Sequence, residues 1–336
     1  KLDNDLQALN EHYTNNSGYS GALYTTAQDS LNLYQSNPRT YNYFTYKNQT
    51  DNYKQDHYQL FLNHQFNDLL TANLAGFLTR GKGYYEEYKN DAAYADYGLP
   101  DYVTGNTIIS QSDLIRRKWL DNYFYGGIFS LQYKNRKTEL TLGGGWDRYD
   151  GKHYGNIIWS EKGGVPDDFQ YYHEPARKTD FNIYGKWQQA IGQYLSSFAD
   201  LQFHHIDYRI EGFDDNPSLH VHNRYDFINP KAGITYSRGP WQAYFSYAMA
   251  RHEPNRDDFE AGLTQQPKPE TLHDFELGLS KRLPHYNWAI NGYYMRYNDQ
   301  LILTGKINDV GSYTRTNTPQ SYRLGIELEC ALKPDK

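Results

Sequence analysis

The sequence predicts an all-β chain: an antiparallel, up-and-down transmembrane β-barrel wall of about eleven strands. Three observations predict it. Apolar and polar residues alternate over stretches of about ten residues. The connections between these stretches run short, long, short, long. Aromatic residues are abundant in an otherwise polar chain, with 35 Tyr, 15 Phe and 6 Trp among 336 residues and a mean hydropathy of -0.90.

Successive side chains of a strand point to opposite faces, so alternation makes one apolar and one polar face. Residues 55–66 form the first predicted strand. Tyr58, Leu60, Leu62 and Phe66 share one face and Gln59, Asn63 and Gln65 the other, with Phe61 and His64 as exceptions. A turn at Asn67-Asp68 leads to the second strand, 69–82. The third, 118–134, joins the fourth, 138–149, through Lys134-Asn135-Arg136. The fifth, 178–190, joins the sixth, 194–211, through Ile191-Gly192-Gln193. The seventh, 226–236, joins the eighth, 241–251, through Ser237-Arg238-Gly239-Pro240. The ninth, 271–281, joins the tenth, 287–303, through Pro284-His285, and the eleventh covers 320–332. Lys333-Pro334-Asp335 reads as the start of another short turn. Gly and Asn accept positive φ in such turns and Pro fixes a negative one.

Residues 83–117, 151–177, 212–225, 252–270 and 304–319 read as the long loops. Outer-membrane barrels have short periplasmic turns and long extracellular loops, so odd-numbered strands run toward the periplasm. In the third strand Tyr123, Tyr125, Phe129, Leu131 and Tyr133 alternate with Asn122, Ser130 and Gln132. In the fifth, Phe181, Ile183 and Trp187 alternate with Asp180, Asn182 and Lys186. In the sixth, Leu195, Ala199, Leu201 and Phe203 alternate with Ser196, Asp200, Gln202 and His204. Arg or Lys on a lipid face at the midplane costs about 2–4 kcal/mol, and here the charges fall on the other face or near strand ends. Gly143-Gly144-Gly145 lies inside a strand and lacks the Lys-Ser/Thr and helix of a phosphate-binding loop.

Residues 1–54 are read as the end of an extracellular loop, in which Leu2, Leu6 and Leu9 can form one face of a short helix. Residues 55–336 are read as a partial barrel wall. No apolar run is long enough for a transmembrane helix. The opening Lys1-Leu2-Asp3-Asn4-Asp5 is polar and reads as the start of a mature or internal piece. A net charge of -6 without a basic cluster argues against nucleic acid. The single cysteine, Cys330, excludes an internal disulfide and reads as ordinary packing near a strand end.

Several segments, in order, resemble the TonB-dependent outer-membrane receptors of Gram-negative bacteria, in their ferric-siderophore-receptor-like branch. They are 51–60, 227–236, and 251–259 with Pro269-Glu270 and 274–278. After these come 291–297 with Asp299-Gln300-Leu301, and 321–327. The resemblance implies a 22-strand barrel around an N-terminal plug, of which this chain carries about half the wall and no plug. It also implies energised uptake of a scarce small-molecule ligand, a ferric siderophore, haem, cobalamin or other metal complex. The partners are then outer-membrane lipid and the TonB system acting through the plug. No cofactor is expected. The alternative reading is a soluble all-β glycan-binding module.

No Ser/His/Asp set, His-Glu-x-x-His motif or Cys nucleophile marks an enzyme. The Glu86-Glu87 and Asp167-Asp168 pairs read as solvated loop charges. Candidate ligand contacts are the loop aromatics Tyr84, Tyr85, Tyr88, Tyr94, Tyr97, Tyr171 and Tyr172, with His173. Aromatic side chains bind flat or apolar ligands with little loss of rotamer entropy. The same residues, with Tyr102, can instead pack loops together or belong to an interfacial belt. From the resemblance, Arg251, Glu253 and Arg256 have a structural or plug-facing role. His220 and His222 straddle Val221, so in a strand both face one way and could hold a transition metal with Asp214 or Asp215. The alternative there is a polar loop tip. His204 is expected on the luminal face and His205 near the outer aromatic belt.

Overall fold

The structure is a computed structural model that describes residues 46–213, 216–261, 266–307 and 313–333, with a few positions between 31 and 39. Leu2, Leu6 and Leu9, Asp214 and Asp215, and Pro334-Asp335 of the expected last turn lie outside the described residues.

In chain order the elements are β1 (Asp51–Asn67), β2 (Leu70–Ala93), a 3-10 turn (Tyr94–Tyr97), β3 (Tyr102–Thr104), β4 (Thr107–Ile109), β5 (Gln111–Lys134), β6 (Thr138–Ser160), β7 (Phe169–Ile191), β8 (Leu195–Phe213), β9 (Asn216–Arg238), β10 (Trp241–His252), α1 (Arg256–Ala261), β11 (Glu270–Arg282), β12 (Tyr286–Ile307) and β13 (Tyr313–Leu332). Eleven strands form one antiparallel sheet in chain order, β1-β2-β5-β6-β7-β8-β9-β10-β11-β12-β13, with β3 and β4 paired apart from it. The sheet is open, with β1 and β13 at its edges. Every predicted strand has its counterpart here.

Register decides which side chains share a face. Leu62, Leu74, Phe129, Gly144, Ile183, Phe203 and Ile228 are successive cross-strand partners. Ile234, Phe245, Leu277, Gly292 and Ile326 carry the same face to the far edge. Leu62 is 60% exposed, Leu277 62% and Ile326 75%, so no protein layer covers them. A soluble sandwich would bury this face against a second sheet, and among the described residues the other sheet is only the short β3–β4 pair. The soluble-module alternative is therefore not favoured.

The opposite face is polar. Asn63, Asn73, Ser130, Gly143, Tyr184, Gln202 and Asn229 are successive partners across it. Asn73 Nδ2 donates to Ser130 Oγ at 3.1 Å, and Asn229 Nδ2 to Gln202 Oε1 at 3.2 Å. Two strands approach closely at Gly126, where an added Cβ would run into the carbonyl oxygen of Trp146 on β6. The tight ends use turn chemistry: Gly192 and Gly239 take φ of 73° and 57°. Asn135 Oδ1 accepts from the backbone N–H of Lys137 and of Thr138, both at 2.8 Å.

At the other end the expectations need correction. Of the five segments expected as loops, four are largely strand among the described residues, and 252–270 instead carries α1. β2 and β5 stay paired out to Ala93 and Gln111, β6 runs to Ser160, β7 starts at Phe169, and β8 pairs with β9 out to Phe213 and Asn216. Alternation disappears there because no apolar solvent bathes one face. The backbone groups still need partners, and the ladder supplies them. Cys330 is likewise not packed but exposed on β13.

Candidate functional site

The strand extensions build a rim with two packed clusters. In the first, Tyr94, Tyr97, Leu99, Leu114 and Ile157 are buried together, with Tyr102, Val165, Phe169 and Tyr171 against them. The tip between β2 and β5 thus leans on the tip between β6 and β7. Tyr94 donates its hydroxyl to the Gly163 carbonyl at 2.6 Å, and the Tyr97 and Tyr171 rings meet edge to face at 4.9 Å. In the second, Phe259 of α1 is buried with Ile210, Phe213 and Val221, and its ring stacks on Tyr208 at 5.7 Å.

That second cluster puts the segment from Glu253 to Ala261 on the polar face, across the mouth. Asn255 and Asp258 cap one another: the Asp258 N–H donates to Asn255 Oδ1 at 2.9 Å and the Asn255 N–H to Asp258 Oδ2 at 2.8 Å. Glu253 accepts from Lys178 at 2.5 Å and Glu174 from Arg256 at 3.0 Å, both on β7. Arg315 on β13 reaches Asp258 at 3.4 Å. One short helix therefore touches strands that lie far apart in the sheet order. The rim must curl inward for this, because adjacent strands are about 4.8 Å apart and flat spacing would separate β8 from β13 by about 24 Å. Arg251, the last but one residue of β10, takes the apolar-face register, in line with Phe245 and Tyr247, and so parts company with Glu253 and Arg256.

The loop aromatics divide by face. Tyr85, Lys118, Gly155 and Tyr172 are register partners on the inward, polar face. Beside them Arg116 donates to Glu87 at 2.8 Å and lies 5.9 Å from the Tyr97 ring. Burial works against ionisation of Glu87, but Arg116 and Lys89 outweigh it and hold the carboxyl below its ordinary range. Tyr84 and His173 take the outward face, in one row with Trp119 and Tyr154. Tyr88 also faces outward, where its hydroxyl donates to Asp113. That hydrogen bond, with burial, pushes the Tyr88 phenol up to about 12. Tyr94 and Tyr97 are buried in the tip itself.

Sequence reasoning missed the inward His153, which shares a register row with Leu120 and Glu174. Burial and the neighbouring Arg256 push its imidazole down to about 4. Nothing local in the sequence marks it, because its partner Arg256 arrives from a distant segment.

His220 and His222 lie on β9, not at a loop tip, and both face outward. They meet different carboxylates, Glu211 at 2.8 Å and Asp207 at 3.7 Å. Among the described residues no group of three or more His, Cys, Asp or Glu could hold a metal. His204 takes the inward face beside Asp180 at 2.7 Å, and His205 the outward face beside Asp226 at 2.7 Å.

The inward rim thus offers phenols, a guanidinium and an amine around an open mouth, a donor set suited to holding a flat or anionic solute without covalent chemistry. The family model described as TonB dependent receptor-like, beta-barrel matches residues 2–333. No curated protein matches the chain. Among solved structures it is similar to the copper transporter OprC, at 12% identity and a TM-score of 0.64 over 84% of this chain and 44% of that one. It is similar to the ferric citrate transporter FecA in its unliganded form, at 13% identity and a TM-score of 0.54 over 83% and 39%. The FrpB iron transporter from Neisseria meningitidis aligns at 12% identity and a TM-score of 0.51 over 83% and 42%. The chain spans about two fifths of the length of these structures, and at such identities the likeness is one of fold.

Proposed function

The chain belongs to the TonB-dependent receptor-like β-barrel family, and from that premise we propose that it supplies barrel wall and outer rim to a receptor of a Gram-negative outer membrane. The receptor imports a scarce small molecule, a ferric siderophore or other metal complex, with energy delivered by the TonB system through a plug. In this reading residues 1–54 lead in from an extracellular loop, with 51–54 already paired in β1, and 55–336 are the wall.

The observation that supports this most is the two-faced register. One face is apolar across all eleven strands and uncovered, as lipid contact requires, and the other is polar and hydrogen-bonded, as a lumen requires. In this reading the ligand meets the inward rim. Tyr85 and Tyr172 stack on it and Arg116 and Lys118 attract its negative charge, while Tyr94, Tyr97 and Tyr171 hold the tip in place. Glu253 and Arg256 fasten the inward segment on which a plug would bear.

The test uses the whole receptor in its host. Because Ala93 and Gln111 pair directly, residues 94–110 can be replaced by an Asn-Gly turn without breaking the ladder. Barrel assembly stays at the parent level, and affinity for the imported metal chelate, identified from a panel of radiolabelled ferric and cupric chelates, falls about tenfold (about 1.4 kcal/mol). Unchanged affinity and uptake refute the rim assignment. Uptake that persists without TonB refutes the energised mechanism.

A further inference from the structure

The tight-turn end of the sheet is cationic, although the chain has a net charge of -6. Arg136 and Lys137 lie in the turn between β5 and β6, Arg238 closes β9, Lys281 and Arg282 close β11, and Lys333 follows β13. Among the described residues none of these six pairs with a carboxylate. Beside them Lys134 takes Glu139 at 2.9 Å, and Asp68 sits in the turn between β1 and β2. Cations of the rim are held differently: Arg80 and Lys82 share Asp121 at 2.7 and 3.6 Å, and Arg148 and Arg177 share Asp150 at 2.8 and 2.9 Å. The unpaired positive charge of the wall is thus gathered at the end with the short turns.

Two of the six cations face outward. Arg238, Trp241, Lys281, Trp288 and Cys330 are successive register partners on that face. Lys281 lies 4.8 Å from the Trp241 ring and Arg238 5.4 Å from that of Tyr194, and the Trp241 and Trp288 rings meet edge to face at 5.6 Å. Two residues further into the band, about 7 Å along the strands, the row is Tyr236, Ala243, Leu279, Ile290 and Leu328. That row is apolar apart from the Tyr236 hydroxyl, and Leu328 is 74% exposed. Neither row holds a carboxylate, and Glu329 on β13 takes the inward face.

We propose that this strip, on β9 to β12, selects an anionic glycerophospholipid of the leaflet at the tight-turn end. The acyl chains lie along Ala243, Leu279 and Ile290, and the phosphodiester accepts charge-assisted hydrogen bonds from Arg238 and Lys281. The four cations at the turn tips add an attractive field that falls off within a Debye length. A zwitterionic headgroup brings its own ammonium into that field and loses the advantage. The two tryptophan rings stand at 84° to one another, so they offer no flat platform for sugars. A soluble acidic protein would meet the turn tips but leave Arg238 and Lys281, beside the apolar row, unused. The inference rests on the wall reading above, which sets the tight turns at the periplasmic side.

The test uses the whole receptor in detergent micelles. The probes are phosphatidylglycerol and phosphatidylethanolamine with the same acyl chains, each titrated in and followed by native mass spectrometry. Phosphatidylglycerol is retained about tenfold more tightly. Arg238→Gln with Lys281→Gln removes most of that preference, whereas Lys82→Gln with Lys152→Gln, at the rim, leaves it in place. Equal retention of the two lipids, or a parent-like preference in the first double variant, overturns the proposal. So does a preference lost only with Arg136→Gln and Arg282→Gln, which moves the surface to the turn tips and assigns it to a soluble polyanion. Fractionation of the parent cells tells the two readings apart. A receptor found in the outer membrane that holds both lipids alike sinks this inference alone, whereas one found in the soluble fraction sinks the wall reading with it.

Discussion

The membrane band and the outer rim are built from the same strands, yet they obey different rules. On β5, the outward positions Phe129 and Leu131 lie in the band, while Trp119 and Arg117 continue the same face in the rim. The pairing is unbroken between them, and the first register shift with β6 comes only beyond Arg117, between Ile115 and Arg116. What changes is the solvent on the outward side. Lipid accepts only apolar side chains and glycine there, whereas water accepts charge, so the rim is free to carry ion pairs and stacked rings. The band is therefore specified by burial in lipid and the rim by contacts between side chains from distant segments.

The sharpest way to break this comparison is a charge in the band. Leu201→Arg, on the lipid face opposite Gly185 and Pro230, is expected to destabilise the barrel by about 2–4 kcal/mol and to reduce the assembled receptor. Gln202→Arg, one residue on and inward, has much less effect. Equal loss of the heat-resistant barrel band in both variants would show that the faces are assigned wrongly.

A smaller effect probes the fit between strands. Gly126→Ala places a methyl group against the backbone of β6, which cannot move aside as a side-chain tip can. Overpacking of this kind costs about 1–3 kcal/mol. Denaturant midpoints of the refolded receptor measure it, and a midpoint like the parent's would mean that the strands can separate there.

In the rim, Ile157→Val trims a fully buried side chain of the tip cluster at about 0.5–1.5 kcal/mol. Hydrogen exchange should quicken at the β2–β5 and β6–β7 tips while the band keeps its protection. Loss of protection throughout would show that rim and band unfold as one unit.

The smallest expected effect is a pH dependence of the rim. His153 has its folded value pushed down to about 4 from an ordinary 6.5. Between these values the unfolded rim binds a proton that the folded rim does not, so stability is full above pH 6.5 and is lost as pH falls toward 4. Partial access to water limits the loss to about 1 kcal/mol. His153→Gln should flatten the dependence, and an unchanged slope in the variant would assign it to other groups.

How much could be read in advance follows from the same contrast. The sequence by itself determined the eleven strands of the main sheet, the tight turns and the lipid face, because a side-chain period of two is imposed wherever one face must be apolar; the β3–β4 pair was not legible. Leu60, Leu62, Phe129, Ile183 and Leu201 are legible for that reason. It also carried the family resemblance, which the family match bears out. Only the tertiary structure decided that residues 83–93 and 111–117 are strand, that Tyr84 and His173 turn outward while Tyr85 and Tyr172 turn inward, and that Arg256 reaches Glu174 and approaches His153. Outside the bilayer no solvent imposes a period, and such contacts join segments up to 82 residues apart, so they exist only once the sheet has curled and brought them together.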